Sequence, residues 1–113
     1  MDRTIPREEW ARRLQQFTDR NAGRITTLEE DAPGFGAQRE EYDYPLRGVA
    51  FDPRDGRIEI MLGDMASTER HLTRAISAPQ SVDLLRGPDG RDQALRIRHD
   101  NDAQTVLRLI HSD

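Results

Sequence analysis

The stretch that most constrains this chain runs from Val49 to Gly63 and reads V-A-F-D-P-R-D-G-R-I-E-I-M-L-G. Two apolar runs flank a polar turn, in which Pro53 presets φ at the first corner and Gly56 tolerates a positive φ. From Ile58 to Leu62, aliphatic residues occupy every second position, which is typical of a strand with one buried face. The stretch predicts a β-hairpin, and therefore a sheet as the body of the fold.

A helix is predicted over residues 6–21, which begin with a proline at a position where its missing N–H does no harm. Trp10, Leu14 and Phe17 follow the i, i+4, i+7 spacing of one helical face. Gly23 is expected to end the helix. This apolar face is expected to pack on the sheet, with Trp10 as a core anchor.

Further strands are predicted where short apolar runs are bounded by turn residues. They cover Ile25–Glu30, Glu41–Phe51, His71–Ile76, Val82–Leu85, Ala94–His99 and Thr105–Ile110. Residues 31–38 contain one proline and two glycines and are predicted to form a loop. Gly48 is expected to mark a bulge, and Pro45, which has no N–H, is expected to keep its half of the strand at an edge.

These elements predict an α+β, mainly β fold within a single domain, residues 1–113. One N-terminal helix packs on an antiparallel sheet of six to seven strands spanning about residues 24–110. The sheet is expected either to bend or to close into a small barrel, by analogy with the Sm-like and SH3-like barrels. The register of the C-terminal hairpin also stays open, because pairing Ile97 with Leu107 sets two arginines opposite each other.

The expected core combines the helix stripe with apolar strand residues of alternating parity. It includes Ile25, Leu28, Leu46, Val49, Phe51, Ile58, Ile60, Leu62, Leu72, Ile76, Val82, Leu84, Leu95 and Ile97. The last strand carries apolar residues on both parities, so it is expected to be covered on both faces.

Composition limits the classes of function. Leu, Ile, Val and Phe make up 23 of 113 residues, so the core is lean, and the net charge is −4. The chain has no cysteine, which excludes disulfides, thiolate metal sites and thiol catalysis. No long apolar run or signal-peptide pattern occurs, so a soluble, cytoplasmic protein with no membrane partner is expected.

All seventeen basic residues are arginines. They alternate with acidic residues and form no continuous basic stripe, the usual mark of a nucleic-acid binder. Nucleic-acid binding by a small barrel is nevertheless the alternative function, with Arg96, Arg98 and Arg108, which are expected to face outwards, as the candidate interaction residues. We expect no tight binding, because the chain is acidic and aromatic residues for base stacking are few.

Four separated blocks of sequence resemble a known family. They read I-P-R-E-E-W, Y-P-L-R-G-V-A, R-I-E-I-M-L-G-D and H-L-T-R-A-I-S-A-P. They resemble the bacterial domain-of-unknown-function family number 5335 over nearly the whole chain. The resemblance implies a stand-alone bacterial single-domain protein, and it brings no activity, cofactor or catalytic residue with it.

Chemistry-bearing residues are sparse. Three histidines, His71, His99 and His111, lack the spacing of metal ligands, so no metal or cofactor is expected. His71 follows Asp64 and Glu69, and this trio is the speculative polar site, the less favoured alternative of an enzyme with acid–base chemistry or of a metal site. No nucleophile motif accompanies it. The aspartate-rich turns are explained by the preference of aspartate for turns.

The favoured interpretation is a non-enzymatic interaction or structural module that forms a homodimer or binds an unknown protein partner. Its warrant is the lean core, the absence of catalytic motifs, and two apolar side chains in predicted loops, Phe35 and Met65. Antiparallel edge strands offer a simple route to a two-fold partner. The second half of the chain is the expected contact region, because Pro45 discourages pairing in the first half.

Overall fold

In the computed structural model, the described part of the chain comprises residues 2–32, 34, 36–63, 71–99 and 102–110. Within these ranges, one N-terminal helix packs on an eight-stranded antiparallel sheet. This confirms the fold class predicted from the sequence. No helix in the described ranges is long and apolar enough to cross a membrane.

The helix α1 spans Trp10–Asn21 and follows a single 3-10 turn at Arg7–Glu9. Together they match the predicted range of residues 6–21. The predicted apolar stripe is buried along its whole length. The helix ends before Gly23, whose φ of 89° lies in the left-handed region that favours glycine.

The strands form one sheet, in which every neighbouring pair is antiparallel. They are β1 (Asp2–Thr4), β2 (Ile25–Ala32), β3 (Gly36–Asp52), β4 (Arg57–Gly63), β5 (His71–Ser77), β6 (Ser81–Arg86), β7 (Asp92–His99) and β8 (Ala103–Leu109). Their order is β1-β6-β7-β8-β2-β3-β4-β5, and this sheet is not closed into a barrel in the described part of the chain. The sequence did not predict β1, because its three residues show no apolar alternation.

The long strand β3 joins two halves of the sheet. Its first half pairs with β2, and its second half pairs with β4 from Leu46 onwards. A register shift between Leu46 and Gly48 confirms the predicted bulge and leaves Arg47 as the extra residue. Among the described residues, pairing before Leu46 runs to β2 alone, in keeping with the expected edge position of Pro45.

The loop predicted over residues 31–38 is shorter in the structure. β2 continues to Ala32, and β3 already begins at Gly36, which pairs with Ala32. Polar and glycine-rich composition predicts a loop, but here the pairing of β2 with β3 continues as far as Ala32 and Gly36.

The central hairpin is confirmed. Ile58, Ile60 and Leu62 of β4 are buried on one face. The turn before them is closed by a hydrogen bond of 2.8 Å from the Gly56 N–H to the Asp52 carbonyl. Gly56 has a φ of 63°, as the turn requires.

The C-terminal hairpin takes a register that the sequence did not predict. Leu95 pairs with Leu107 and Arg96 pairs with Val106. This is the register that the sequence left open, and Ile97 does not pair with Leu107. In the observed register Ile97 pairs with Thr105 instead, and apolar residues of β7 and β8 still share one face.

The core contains most of the residues predicted for it. Phe51 and Leu72 are only partly buried and pack against its rim, and the unpredicted Ile5 joins it. The prediction that Ile25 lies in the core is wrong, because 37% of its surface is exposed. It lies three residues before the buried Leu28, and positions an odd number apart on a strand lie on opposite faces.

In the last strand, Val106 and Leu107 are 8% and 0% exposed, so both faces of β8 are covered as expected. We call the face that packs on α1 the inner face and the opposite one the outer face. Leu107 lies on the inner face and Val106 on the outer face.

Helix α1 meets the sheet most closely at β3. The Thr18 hydroxyl accepts a hydrogen bond from the Val49 N–H at 2.9 Å and donates one to the Val49 carbonyl at 3.1 Å. A Cβ atom on Gly48 would lie 3.3 Å from Thr18 Cγ2, so the absence of a side chain permits this approach. At the other end of the helix, the Trp10 indole N–H donates to the Ile5 carbonyl at 2.9 Å.

Trp10 is expected to be the largest single contributor to this packing, because it is 1% exposed and its ring meets Phe51 edge to face at 5.2 Å. Trp10→Ala is expected to lower the free energy of unfolding by about 3–5 kcal/mol. Trp10→Phe keeps a ring but leaves the Ile5 carbonyl without its donor, and is expected to cost about 1–3 kcal/mol.

Urea denaturation followed by circular dichroism measures both losses. Gln16→Ala, on the exposed side of α1, serves as the control and is expected to change stability by less than about 0.5 kcal/mol. A loss below about 1 kcal/mol for Trp10→Ala would contradict the structure.

Candidate functional site

Some of the residues predicted to carry function lie within the described ranges and others do not. Phe35, Met65, Asp64 and Glu69 lie outside the described residues, so their roles remain predictions. His71 lies at the exposed start of β5, where its Nδ1 is 2.9 Å from Arg47 Nη1. The acid–base role of His71 therefore also remains a prediction.

The three candidate arginines lie on the outer face of the sheet. Arg96 and Arg98 alternate along β7, and Arg108 is on the adjacent strand β8, paired with Ala94. Cross-strand register thus brings together arginines that the sequence separates. The sequence predicted this grouping on outward positions, but not the carboxylates that accompany it.

Two of these arginines are engaged by carboxylates. Arg96 donates to Asp83 Oδ2 from Nε at 3.0 Å and from Nη2 at 2.8 Å. Arg108 Nε donates to Glu29 Oε2 at 2.6 Å. The outer face therefore carries ion pairs between neighbouring strands and not an unbroken basic surface.

Asp83 is the most buried residue of these two ion pairs on the outer face. The hydroxyl of Thr4 donates to its Oδ1 at 2.6 Å, which ties β1 to β6. Burial raises the pKa of Asp83, but the hydrogen bonds from Thr4 and Arg96 outweigh burial and leave the pKa below its ordinary value.

A second polar cluster lies on the inner face and was missed by the sequence reasoning. Glu30 accepts hydrogen bonds from the Thr105 hydroxyl at 2.6 Å and from Arg74 Nη2 at 2.9 Å. His99 Nε2 lies 2.9 Å from the same hydroxyl. Glu30 follows the buried Leu28 by two residues, so the alternation of β2 already placed it on the inner face.

The hydrogen bonds define what this inner cluster can do. The single hydroxyl proton of Thr105 goes to Glu30, so the hydroxyl oxygen accepts the bond from His99 Nε2. His99 therefore donates to Thr105 in this arrangement, whereas a histidine that activates a nucleophile accepts the hydroxyl proton. The geometry is that of a tie between β2, β5, β7 and β8.

A third cluster surrounds Asp92, at the junction of α1 with the start of β7. Asp92 Oδ2 accepts hydrogen bonds from Arg20 Nε at 2.9 Å and Asn21 Nδ2 at 2.7 Å. Its Oδ1 accepts one from Arg86 Nε at 3.0 Å. Three side chains from two elements thus converge on one carboxylate that is 6% exposed as a residue.

Arg24 adds a further guanidinium to the cluster without bonding the carboxylate. Its Nη1 donates to Asn21 Oδ1 at 2.9 Å and to the Asp92 main-chain carbonyl at 3.1 Å. A surface depression opens here, and we call it the arginine depression. It is lined by Arg20, Asn21, Arg24, Arg86, Gly90, Arg91 and Asp92.

The electrostatics of Asp92 follow from these contacts. Burial raises the pKa of Asp92, but the hydrogen bonds from Arg20, Asn21 and Arg86 outweigh it and lower the pKa below its ordinary value. The charged carboxylate is therefore favoured in the folded protein.

Strand β5 forms one edge of the sheet. It pairs with β4 at all seven of its positions, from His71 to Ser77. Thr73, Ala75 and Ser77 are exposed. In the described part of the chain, no strand pairs with its other side.

No group of three or more His, Asp or Glu side chains among the described residues is arranged to hold a metal ion.

The fold and these clusters define a small α+β domain in which one helix packs on an open antiparallel sheet. The family of unknown function DUF5335 matches residues 1–112, and the chain belongs to this family. The family resemblance seen in the sequence is thereby confirmed. No curated protein and no solved structure matches the chain.

The lowered pKa of Asp92 predicts a pH-dependent contribution to stability. A carboxyl whose pKa is lower in the folded state stabilises the protein above its unfolded pKa of about 4, and this stabilisation is lost as the pH falls through the folded pKa. Asp92→Asn is therefore expected to be less stable than the wild type by about 3 kcal/mol at pH 7. The difference should shrink as the pH falls below about 4.

Urea denaturation at a series of pH values between neutral and strongly acidic measures this difference. Asp19→Asn, at an exposed position of α1, is the matched control and should follow the wild type closely. A difference between Asp92→Asn and the wild type that stays constant with pH would show that the carboxylate charge contributes nothing.

Proposed function

We propose that this protein is a non-enzymatic interaction module that pairs with a second copy of itself along β5. The observation that carries the proposal is the seven-residue edge strand β5, which is regularly paired on one side. Such an edge presents main-chain donors and acceptors that a second strand can pair with. The opposite edge strand, β1, has only three residues and offers a much shorter ladder.

The composition of β5 supports pairing. The strand contains no proline or glycine, and Thr73 and Ala75 present small exposed side chains. Its one arginine, Arg74, extends to Glu30, where it donates a hydrogen bond of 2.9 Å. The usual protections of an edge strand, which are proline, bulges and outward charges, are thus few in β5.

A two-fold axis fits this edge, since two antiparallel copies of one strand present the same donors and acceptors to each other. The edge lies in the second half of the chain, where the sequence predicted the contact region. Phe35 and Met65 are proposed to add apolar contacts to a partner.

The proposal places this module in the cytoplasm of a bacterium. The chain contains no cysteine, which fits a compartment where disulfides are rare. The acid–base alternative at Asp64, Glu69 and His71 remains a separate proposal, and convergence of these three side chains in a cleft would support it.

Sedimentation velocity and light scattering over a wide concentration range test the homodimer. The wild type is expected to shift from monomer to dimer as its concentration rises. Thr73→Lys with Ala75→Lys is expected to remain monomeric, because two positive charges on each edge repel across the two-fold axis.

The control adds the same charge elsewhere. Gln16→Lys with Ala50→Lys changes exposed positions on α1 and β3 and should dimerise as the wild type does. A wild type that stays monomeric at high concentration would remove the homodimer and leave an external protein partner as the remaining form of the proposal.

Nucleic-acid binding is the alternative function, and the ion pairs of the outer face argue against it. Because Asp83 and Glu29 engage Arg96 and Arg108, binding phosphates there would require competition with these carboxylates. Fluorescence anisotropy with single-stranded RNA and DNA is expected to show no sub-micromolar binding. Tight, salt-sensitive binding that is lost in the triple alanine variant of Arg96, Arg98 and Arg108 would reverse this conclusion.

A further inference from the structure

The arginine depression holds more positive charge than its carboxylate can neutralise. Four arginines line it, and Asp92 is the one carboxylate among its lining residues. The whole chain, by contrast, has a net charge of −4. The depression is therefore a local reversal of the overall charge of the protein.

The carboxylate of Asp92 already accepts hydrogen bonds from neighbouring side chains. Its two oxygens accept hydrogen bonds from Arg20, Asn21 and Arg86. In the described part of the chain, Arg24 and Arg91 donate no hydrogen bond to this carboxylate. Guanidinium groups that line the same depression repel one another, and an added anion would relieve that repulsion.

Among the described residues, the arginine hydrogen bonds of the cluster are made by Arg20 Nε, Arg24 Nη1 and Arg86 Nε. Arg20 bonds Asp92 through Nε, and 41% of its side chain remains exposed. Arg24 uses Nη1 for its two bonds. Arg91 is exposed, and in the described part of the chain its guanidinium has no hydrogen-bond partner.

The turn between β6 and β7 sets the position of Arg91. The Gly90 N–H donates to the Gly87 carbonyl at 3.0 Å, and Gly90 has a φ of 80°. The Arg91 N–H donates to Asp89 Oδ1 at 3.0 Å, and the Gly87 N–H donates to the Arg91 carbonyl at 3.0 Å. Arg91 thus projects from a backbone that is fixed on both sides.

A second depression continues from the first and shares Arg24, Arg91 and Asp92 with it. It extends to Arg108 at the end of β8. The guanidinium of Arg108 is paired with Glu29, so the accessible positive charge is concentrated in the first depression.

We propose that the arginine depression binds the phosphate group of a small anionic ligand. Planar guanidinium groups offer paired N–H donors that match the oxygens of phosphate. A phosphate dianion has enough oxygens and charge to accept hydrogen bonds from Arg20 of α1, from Arg24 and from Arg91 of the β6–β7 turn together. A carboxylate carries less charge and has fewer acceptor oxygens, so it is expected to bind these donors more weakly than phosphate does.

Several features oppose binding and keep it modest, among them the carboxylate of Asp89, which accepts a hydrogen bond from the Arg91 N–H. The depression lies at the C-terminal end of α1, where the helix dipole is negative, and Asp92 remains ionised. The site is also open to solvent, so dissolved salt weakens its attraction for anions. Binding of one phosphate group at this strength is compatible with the absence of tight nucleic-acid binding.

Titration of the full chain with sodium phosphate at pH 7 and constant ionic strength, followed by amide NMR, tests the site. Shifts are expected to concentrate at Gly90, Arg91 and Asp92. Arg24→Gln with Arg91→Gln is expected to weaken binding by about tenfold or more, as loss of charge-assisted hydrogen bonds requires.

Matched variants separate this site from general charge. Arg3→Gln with Arg54→Gln removes the same charge from exposed positions elsewhere and should bind phosphate as the wild type does. Because Arg24 also supports Asn21, Arg91→Gln alone provides the test if the double variant does not fold. It is expected to weaken binding measurably.

Two further ligands identify the source of the phosphate. Titration with O-phosphoserine compares a phosphate monoester with free phosphate, and binding of either supports the site. Acetate at the same ionic strength is expected to bind much more weakly. The proposal is overturned if acetate matches phosphate, if the shifts scatter over the surface, or if Arg91→Gln binds phosphate unchanged.

Discussion

The packing of α1 on the inner face of the sheet is the contact on which the rest of the structure depends. With few aliphatic residues available, the chain covers the sheet with one amphipathic helix whose largest side chain, Trp10, is almost wholly buried. The double hydrogen bond between Thr18 and Val49 fixes the helix against β3, and the missing side chain of Gly48 allows the approach. The position of α1 in turn sets where Arg20 and Asn21 meet Asp92.

Carboxylates add hydrogen bonds between elements that also share the apolar core. Asp92 links α1 to β6 and β7, Asp83 links β1 to β7, and Glu30 links β2 to β5 and β8. Each carboxylate accepts several hydrogen bonds, which is the condition under which a partly buried charge is tolerated. In a chain without lysine, arginine supplies nearly all of the charged donors, and its several N–H groups let one side chain serve more than one acceptor.

Local patterns in the sequence predicted the elements well. The spacing of Trp10, Leu14 and Phe17 predicted the helix, and the alternation around Ile58 and Ile60 predicted the central hairpin. These signals lie within a few residues of each other. The strand β1 was not predicted, because three residues are too few to show a periodic pattern. Its place beside β6 depends on residues far along the chain.

The clusters of charged residues were harder to predict for the same reason. Asp92 reads as an ordinary turn residue in the sequence, and its partners Arg20 and Asn21 precede it by more than seventy positions. Glu30 and Thr105 are likewise joined only by the pairing of β2 with β8. Alternation indicates which face a residue occupies, but the register between distant strands decides its neighbours. Arg96, Arg98 and Arg108 could be placed on outward positions, whereas their carboxylate partners could not be.

The strand order has a consequence for how the chain reaches its folded state. The centre of the sheet pairs β2 with β8, so Leu28 cannot pair with Leu107 until that much later residue has been synthesised. Until then the first hairpin lacks its neighbour on one side. Contacts between residues so distant in sequence carry a large entropic cost before they stabilise anything, and they slow folding. During synthesis, the exposed edge of β2 is therefore the segment of this protein that most needs protection from pairing with another chain.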